Sequence, residues 1–196
     1  RQWPEIERSV TVLPDRGYSH LPTKKEAKEL CDSLGNKFKI LVHRDRDSLT
    51  DDEVLELRNQ YSDDRIRLWV TDQSDLEAEF CDPAIISALS GQPVQECEDW
   101  INEILAQHHT MINDQFVSQR AAHNRELHSS GGSPTNDDVW TSFQSRQLKG
   151  AKGKFVFNQL KNKVPGGKFS EATVDAMTNF PERAIGLKHN LEELLI

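Results

Sequence analysis

Cysteine is scarce in this chain of 196 residues, where Cys31, Cys81 and Cys97 are the only three. They are too few and too widely spaced for a disulfide framework or a zinc site, and a reducing cytoplasm suits them. No apolar run approaches the roughly 20 residues that cross a membrane, and no signal-peptide pattern opens the chain. No Gly-x-x-x-x-Gly-Lys-Ser/Thr occurs, which excludes an ATP site of the P-loop kind. Internal repeats are also lacking. The chain starts at Arg1 rather than at a methionine and is expected to be a fragment of something larger.

What is present is charge. The net charge of −8 argues against an all-over electrostatic grip on nucleic acid but leaves room for a local one. From Val139 to Ser170 there is no Asp or Glu, while Arg146, Lys149, Lys152, Lys154, Lys161, Lys163 and Lys168 all fall there. This basic segment follows an acidic amino-terminal half, a division suited to a polyanionic substrate that carries a metal ion. A solvated helix face is the plainer reading of the same lysines. Apolar residues make up 36%, and the length suits one domain, alone or with a helical annex.

Periodicity divides the chain. Residues 9–14, SVTVLP, alternate as a strand does. Residues 23–35 begin with a Thr cap, put Ala27, Leu30 and Leu34 on one face and end at Gly35, which predicts a helix. KFKILVH then reads as a strand covered on both faces. A second helix is predicted over 49–64, with Thr50 as cap and Val54, Leu57 and Tyr61 inward, and a strand over 65–71. Strand, helix, strand, helix, strand is the order of a parallel α/β unit, whose ligands bind beyond the carboxyl ends of the strands. Asp15, Asp45, Asp47 and Asp72 fall just past such ends. After Pro83 the pattern is helical: one long stretch from Val94 to about His128, a loop at 129–138 that is flexible by composition, then helices near 138–148, 154–164, 170–180 and 185–195. The expected domains are therefore an α/β core over 1–83, a helical insertion over 84–128, the loop, and a basic helical region over 139–196.

His43-Arg44-Asp45 spells the start of a protein-kinase catalytic loop. A kinase needs Asn five residues after that Asp, where this chain has Thr50, and it lacks the Gly-rich loop and the Asp-Phe-Gly. Asp45 and Asp47 are instead candidate ligands for a hard divalent cation, which prefers oxygen donors. A third carboxylate is available in DQSDLEAEF, which holds Asp72, Asp75, Glu77 and Glu79. Acids at strand-to-helix junctions also serve as helix caps. His108, His109, His123 and His128 show no His-Glu-x-x-His spacing and are expected to be exposed helix residues.

KILVHRDRD with SDLEAEFCDP resembles the Toprim fold of topoisomerases, primases and OLD-family nucleases. It is most similar to Toprim domains attached to, or encoded beside, ABC-type ATPases in bacterial anti-phage systems. The resemblance covers about residues 9–83. It implies a Toprim-like parallel sheet flanked by helices, and assigns Asp45, Asp47 and Glu77 to Mg²⁺ or Mn²⁺. A register one step earlier makes Asp45 the second acid and Asp47 a spare. KGAKGKFVFNQL is similar to the point where OLD-like nucleases place a lysine against the scissile phosphate, which implies that role for Lys154, with Lys152 as its substitute. The Glu-Gly strand end of such domains has no counterpart, since Glu5 and Glu7 precede the strand at 9–14 without the apolar run or the glycine.

The resemblance implies a cytoplasmic, metal-dependent nuclease acting on DNA or RNA beside an ABC-type ATPase, with homo-oligomers as a further expectation and no membrane. The alternative is a non-catalytic module that docks such an ATPase or a second copy of itself.

Overall fold

Five residues of nearly continuous apolar character form strand β1, Ile40–Arg44, and a second such run forms β2, Ile66–Val70. The computed structural model describes residues 11, 21–35, 37–144, 148–175 and 194. The two strands pair in parallel from Ile40 opposite Ile66 to Arg44 opposite Val70. Parallel neighbours need a crossover, supplied here by helix α2, Asp51–Gln60, which buries Val54 and Leu57 and packs on β2. The architecture is thus mixed α/β, a two-stranded parallel sheet with helices against it. The strand expected at 9–14 and the helix at 185–195 lie outside the described residues, apart from Thr11 and Leu194.

Helix α1, Lys24–Leu34, also packs on β2. Its start is a capping box: the Glu26 N–H donates to Thr23 Oγ1 at 3.2 Å, and the Thr23 N–H donates to the Glu26 carboxylate at 2.7 Å. Ala27 and Cys31, one turn apart, meet Ile66, with Ile40 and Tyr61 alongside. The predicted face is corrected here: Leu30 and Leu34 are 41% and 46% exposed. The small side chains of Ala27 and Cys31, not the leucines, let the helix approach the strand.

The contacts divide the chain into two compact units, 1–45 with 51–71 and 178–196, and 46–50 with 72–177. One boundary between the units follows Thr71, and the next helix, α3 (Leu76–Phe80), packs on helix α8 (Gly153–Lys163).

The second unit is helical. After α3 come α4 (Pro83–Ser90), α5 (Val94–Gln107), α6 (His109–Leu127) and α7 (Asn136–Gln144). Beyond α8 lie a 3₁₀ turn at Pro165–Gly167 and α9 (Glu171–Asp175). Asp82 caps α4 by accepting from the Ala84 N–H at 2.7 Å, Pro83 occupies the first turn, and Gly91 ends the helix at φ 77°. The long helix expected from Val94 to His128 is two helices broken at His108, whose ψ of 15° leaves the helical path. Arg120, fully buried on α6, donates to Asn124 Oδ1 at 3.0 Å and Ser133 Oγ at 3.2 Å. That anchors the Gly/Ser-rich segment, and α7 begins inside it at Asn136.

Candidate active site

β1 delivers Asp45 at its carboxyl end. His43, two residues earlier, lies opposite Trp69 in the register and stacks on it at 4.5 Å between ring centroids. Burial pushes the His43 pKa below the usual histidine range, so the ring is neutral at pH 7. Its Nε2 is 3.6 Å from Asp45 Oδ1, too far for a hydrogen bond. The His-Arg-Asp tripeptide therefore begins with a packing residue.

Asp47 belongs to the second unit and has φ 52°, in the left-handed region that Asp tolerates better than bulkier residues. Buried Arg46 closes the turn around it, donating from Nε to Leu49 O at 3.1 Å and from Nη1 to Asp72 O at 3.4 Å. The Asp47 N–H donates to Ser74 O at 2.6 Å. Helix α6 holds the other side. Gln119 Nε2 donates to Asp47 Oδ1 at 3.0 Å, Arg120 Nη1 donates to Ser48 O at 3.1 Å, and His123 Nδ1 lies 2.9 Å from Ser48 Oγ. His123 Nε2 is 4.0 Å from Asp47 Oδ2.

The expectation that His123 is an exposed helix residue is corrected, since it is 2% exposed. The residues 46–50 fold against α6 and cover it. Ser48, His123 and Asp47 follow one another as in a hydrolase triad, yet Ser48 is 0% exposed and cannot reach a substrate. Gln119 bonds the Asp47 carboxylate, and His123 bonds Ser48 beside it. Gln119 and His123, one turn apart, are site residues that the sequence reading missed. Only their i, i+4 spacing signals a shared face, and a solvated helix shows the same spacing.

A second knot joins the start of α3, where Glu77 stands, to the start of α8, where Lys154 stands. Ser74 Oγ donates to Ala151 O at 2.5 Å. Asp75 accepts from the Ala78 N–H on Oδ1 and from the Gly153 N–H on Oδ2, each at 2.9 Å, so one carboxylate caps both α3 and α8. A Cβ at Gly153 would lie 2.0 Å from Asp75 Oδ1 and 2.1 Å from Ala78 N. Only glycine permits this approach. Glu77 and Lys154 are each one residue from the Ala78–Gly153 contact, on the first turns of their helices, while Lys152 and Lys154 are exposed. The first N–H of α8 thus already meets an internal carboxylate. Glu79 accepts from the Gln73 N–H at 2.7 Å, and its burial raises its pKa above the usual carboxylate range, with Asp72 and Asp75 adding to the rise.

The second unit thus ties together the segments that carry Asp47, Glu77, Lys152 and Lys154, and Asp45 belongs to the first unit. Among the described residues no three His, Cys, Asp or Glu side chains gather to hold a metal ion. Carboxylate oxygens, as on Asp45, Asp47 and Glu77, are the donor type that a hard divalent ion takes. No protein-family model matches the chain, and no curated protein or solved structure is significantly similar to it. No helix among the described residues is long and apolar enough to cross a membrane.

Proposed function

We propose that the chain is the Toprim-like part of a divalent-metal-dependent nuclease that hydrolyses phosphodiester bonds in DNA or RNA, as the effector of an anti-phage system working with an ABC-type ATPase. The observation that supports this most is the fixing of Asp47. Its backbone, in the left-handed region, is bonded to Ser74, and its carboxylate is held by Gln119 in the unit that also docks the start of α3 on the start of α8.

Asp47, with Asp45 two residues before it and Glu77, would hold Mg²⁺ or Mn²⁺. When bound, such an ion activates water and offsets charge on the phosphate. Gln119 is a positioning residue that keeps the Asp47 carboxylate from rotating, and His123 braces the neighbouring Ser48. Lys154, with Lys152 beside it, offers an ammonium to the phosphate where negative charge grows.

The test is cleavage of labelled DNA and RNA with either ion, with and without an ABC-type ATPase. Asp45→Asn and Asp47→Asn are expected to cut at background level while melting like the wild type. Lys154→Ala is expected to lower turnover about a hundredfold and change binding little. Full cleavage by both aspartate variants overturns the reading.

The docking alternative draws on one observation. Leu30, Leu34 and Phe38, along the end of α1 and the loop after it, are 41%, 46% and 51% exposed. Leu34→Glu with Phe38→Glu would abolish ATPase capture or self-association if that patch serves as the interface.

A further inference from the structure

Within the second unit, residues of α5, α6 and α7 line an open hollow of about 180 Å³ that no step above uses. Its walls are mainly apolar, from Leu105, Ile112 and Phe143, with Trp140 as the largest aromatic surface. An apolar cavity of roughly 150 Å³ is enough to take up one benzene ring. The space therefore suits one planar ring system. Trp140 is held in place by Phe116 at 5.0 Å and His109 at 5.7 Å between centroids, which gives the pocket a preset aromatic wall. Two polar residues, Asn102 and His109, interrupt the apolar lining. An Asn amide both donates and accepts, as the edge of a nucleobase does.

The backbone joins this pocket to the basic segment. Gly150 forms part of the wall, and a Cβ there would stand 2.8 Å from the Trp140 ring, so the indole lies directly against the chain that runs on to Lys152 and Lys154. Two residues of chain span at most about 7 Å. On the far side, Phe155, next to Lys154, meets the His108 ring edge-on at 5.0 Å. In the sequence the lysines thus fall between Gly150, which lines the pocket, and Phe155, which packs on His108 next to the lining residue His109. Lys161 and Lys163 are paired with Glu171 and Glu103, at 2.9 Å and 2.6 Å. Neither Lys152 nor Lys154 pairs with an acid among the described residues, and the sequence from Val139 to Ser170 contains none.

We propose that this cavity takes one unstacked nucleobase of a single-stranded nucleic acid, with the adjoining phosphates on Lys152 and Lys154. The inference rests on the nucleic-acid reading above and adds to it a substrate class, single strands or strands with an extruded base. Trp140 supplies the stacking surface, a contact that tolerates any base, and the Asn102 amide meets the edge of the ring. A duplex with all its bases stacked cannot fill the pocket.

The test is binding by fluorescence anisotropy, in EDTA so that no cleavage intervenes, of two short strands of equal length. One is a mixed-sequence oligonucleotide, run as DNA and as RNA, and the other is the same backbone with every base removed. The wild-type chain is expected to favour the base-bearing strand about tenfold, on the scale of one stacked base. Ala106 lines the cavity from an exposed helix position. Ala106→Phe, checked for an unchanged melting temperature, is expected to erase that preference without altering affinity for the base-free strand. Asn102→Ala, which leaves the apolar walls intact, is expected to reduce the preference partly.

Equal binding of the two strands by the wild type overturns the pocket assignment and leaves the nuclease reading standing. A preference that survives Ala106→Phe overturns it as well. Failure to bind either strand overturns both readings.

Discussion

Helices α1 and α8 start in opposite ways. At α1 the cap and its partner are Thr23 and Glu26, three residues apart, bonded to each other in an exposed setting. At α8 the residue before the helix is Lys152, whose side chain caps nothing, and the cap is Asp75, 78 positions earlier in the chain. The first start is closed by residues three apart and needs no distant partner. The second exists only once α3 and α8 have docked, so it reports tertiary packing. That packing positions Lys154 and Glu77.

The sharpest way to break this contrast is Gly153→Ala. A methyl group 2.0 Å from Asp75 Oδ1 and 2.1 Å from Ala78 N cannot be accommodated by turning a side chain, because one of the obstacles is backbone. The expected loss is about 3 kcal/mol, at the upper end for overpacking, read as a lower urea midpoint. A midpoint unchanged from wild type would show that α3 and α8 do not approach as described. Asp75→Ala removes the caps of both helices while adding no bulk, and about 2 kcal/mol is expected from two lost caps. Asp75→Asn should lose less than Asp75→Ala, since one oxygen still accepts, and be less stable than wild type, since its NH₂ faces the other N–H.

Thr23→Ala tests the local start. Its effect should be a fall in melting temperature of about 2 °C in a chain of this size. Thr23 holds the Glu26 pKa below the usual carboxylate range, so this contribution is present above the ordinary carboxylate pKa and is lost as pH falls through the lowered one. Melting wild type and variant at neutral and acid pH should show their difference shrinking in acid.

Glu79 has the opposite sign. Its pKa is raised by burial, so its stabilising contribution is full below the ordinary carboxylate pKa and is lost as pH rises through the folded-state value. Glu79→Gln keeps an oxygen for the Gln73 N–H and carries no charge. At pH 7 it should be more stable than wild type, by less than about 1 kcal/mol once solvent screening is counted. The difference should vanish in acid. A variant less stable at pH 7 would contradict the burial of that carboxylate.

Much of the first unit was legible because its signals are local. The apolar runs at 40–44 and 66–70, the Thr23 and Glu26 spacing, and Val54 and Leu57 inward on α2 needed no knowledge of distant residues. Legibility was lower in the second unit. The break at His108 has no proline or glycine to announce it. His123 and Arg120 sit in a polar helix, and nothing nearby says that residues 46–50 will cover them. At the α8 start the glycine and lysine were visible as a pair, but the reason for the glycine is Asp75.

The sequence alone determined which carboxylates could leave the end of β1, which lysines stand in a stretch without acids, and that a parallel strand pair would be bridged by a helix. These follow from covalent order, since neighbours in the chain are neighbours in space and side-chain period is set by the backbone. Tertiary structure alone decided that Asp47 would be gripped from α6, that Asp75 would cap two helices at once, and that Trp140 would lie against Gly150 to shape a pocket beside the lysines. The first two depend on hydrogen bonds across 72 and 78 positions, and the third on a van der Waals contact between two segments ten positions apart. Such contacts form only after the packed helices have met the entropic cost of closing the loops between them.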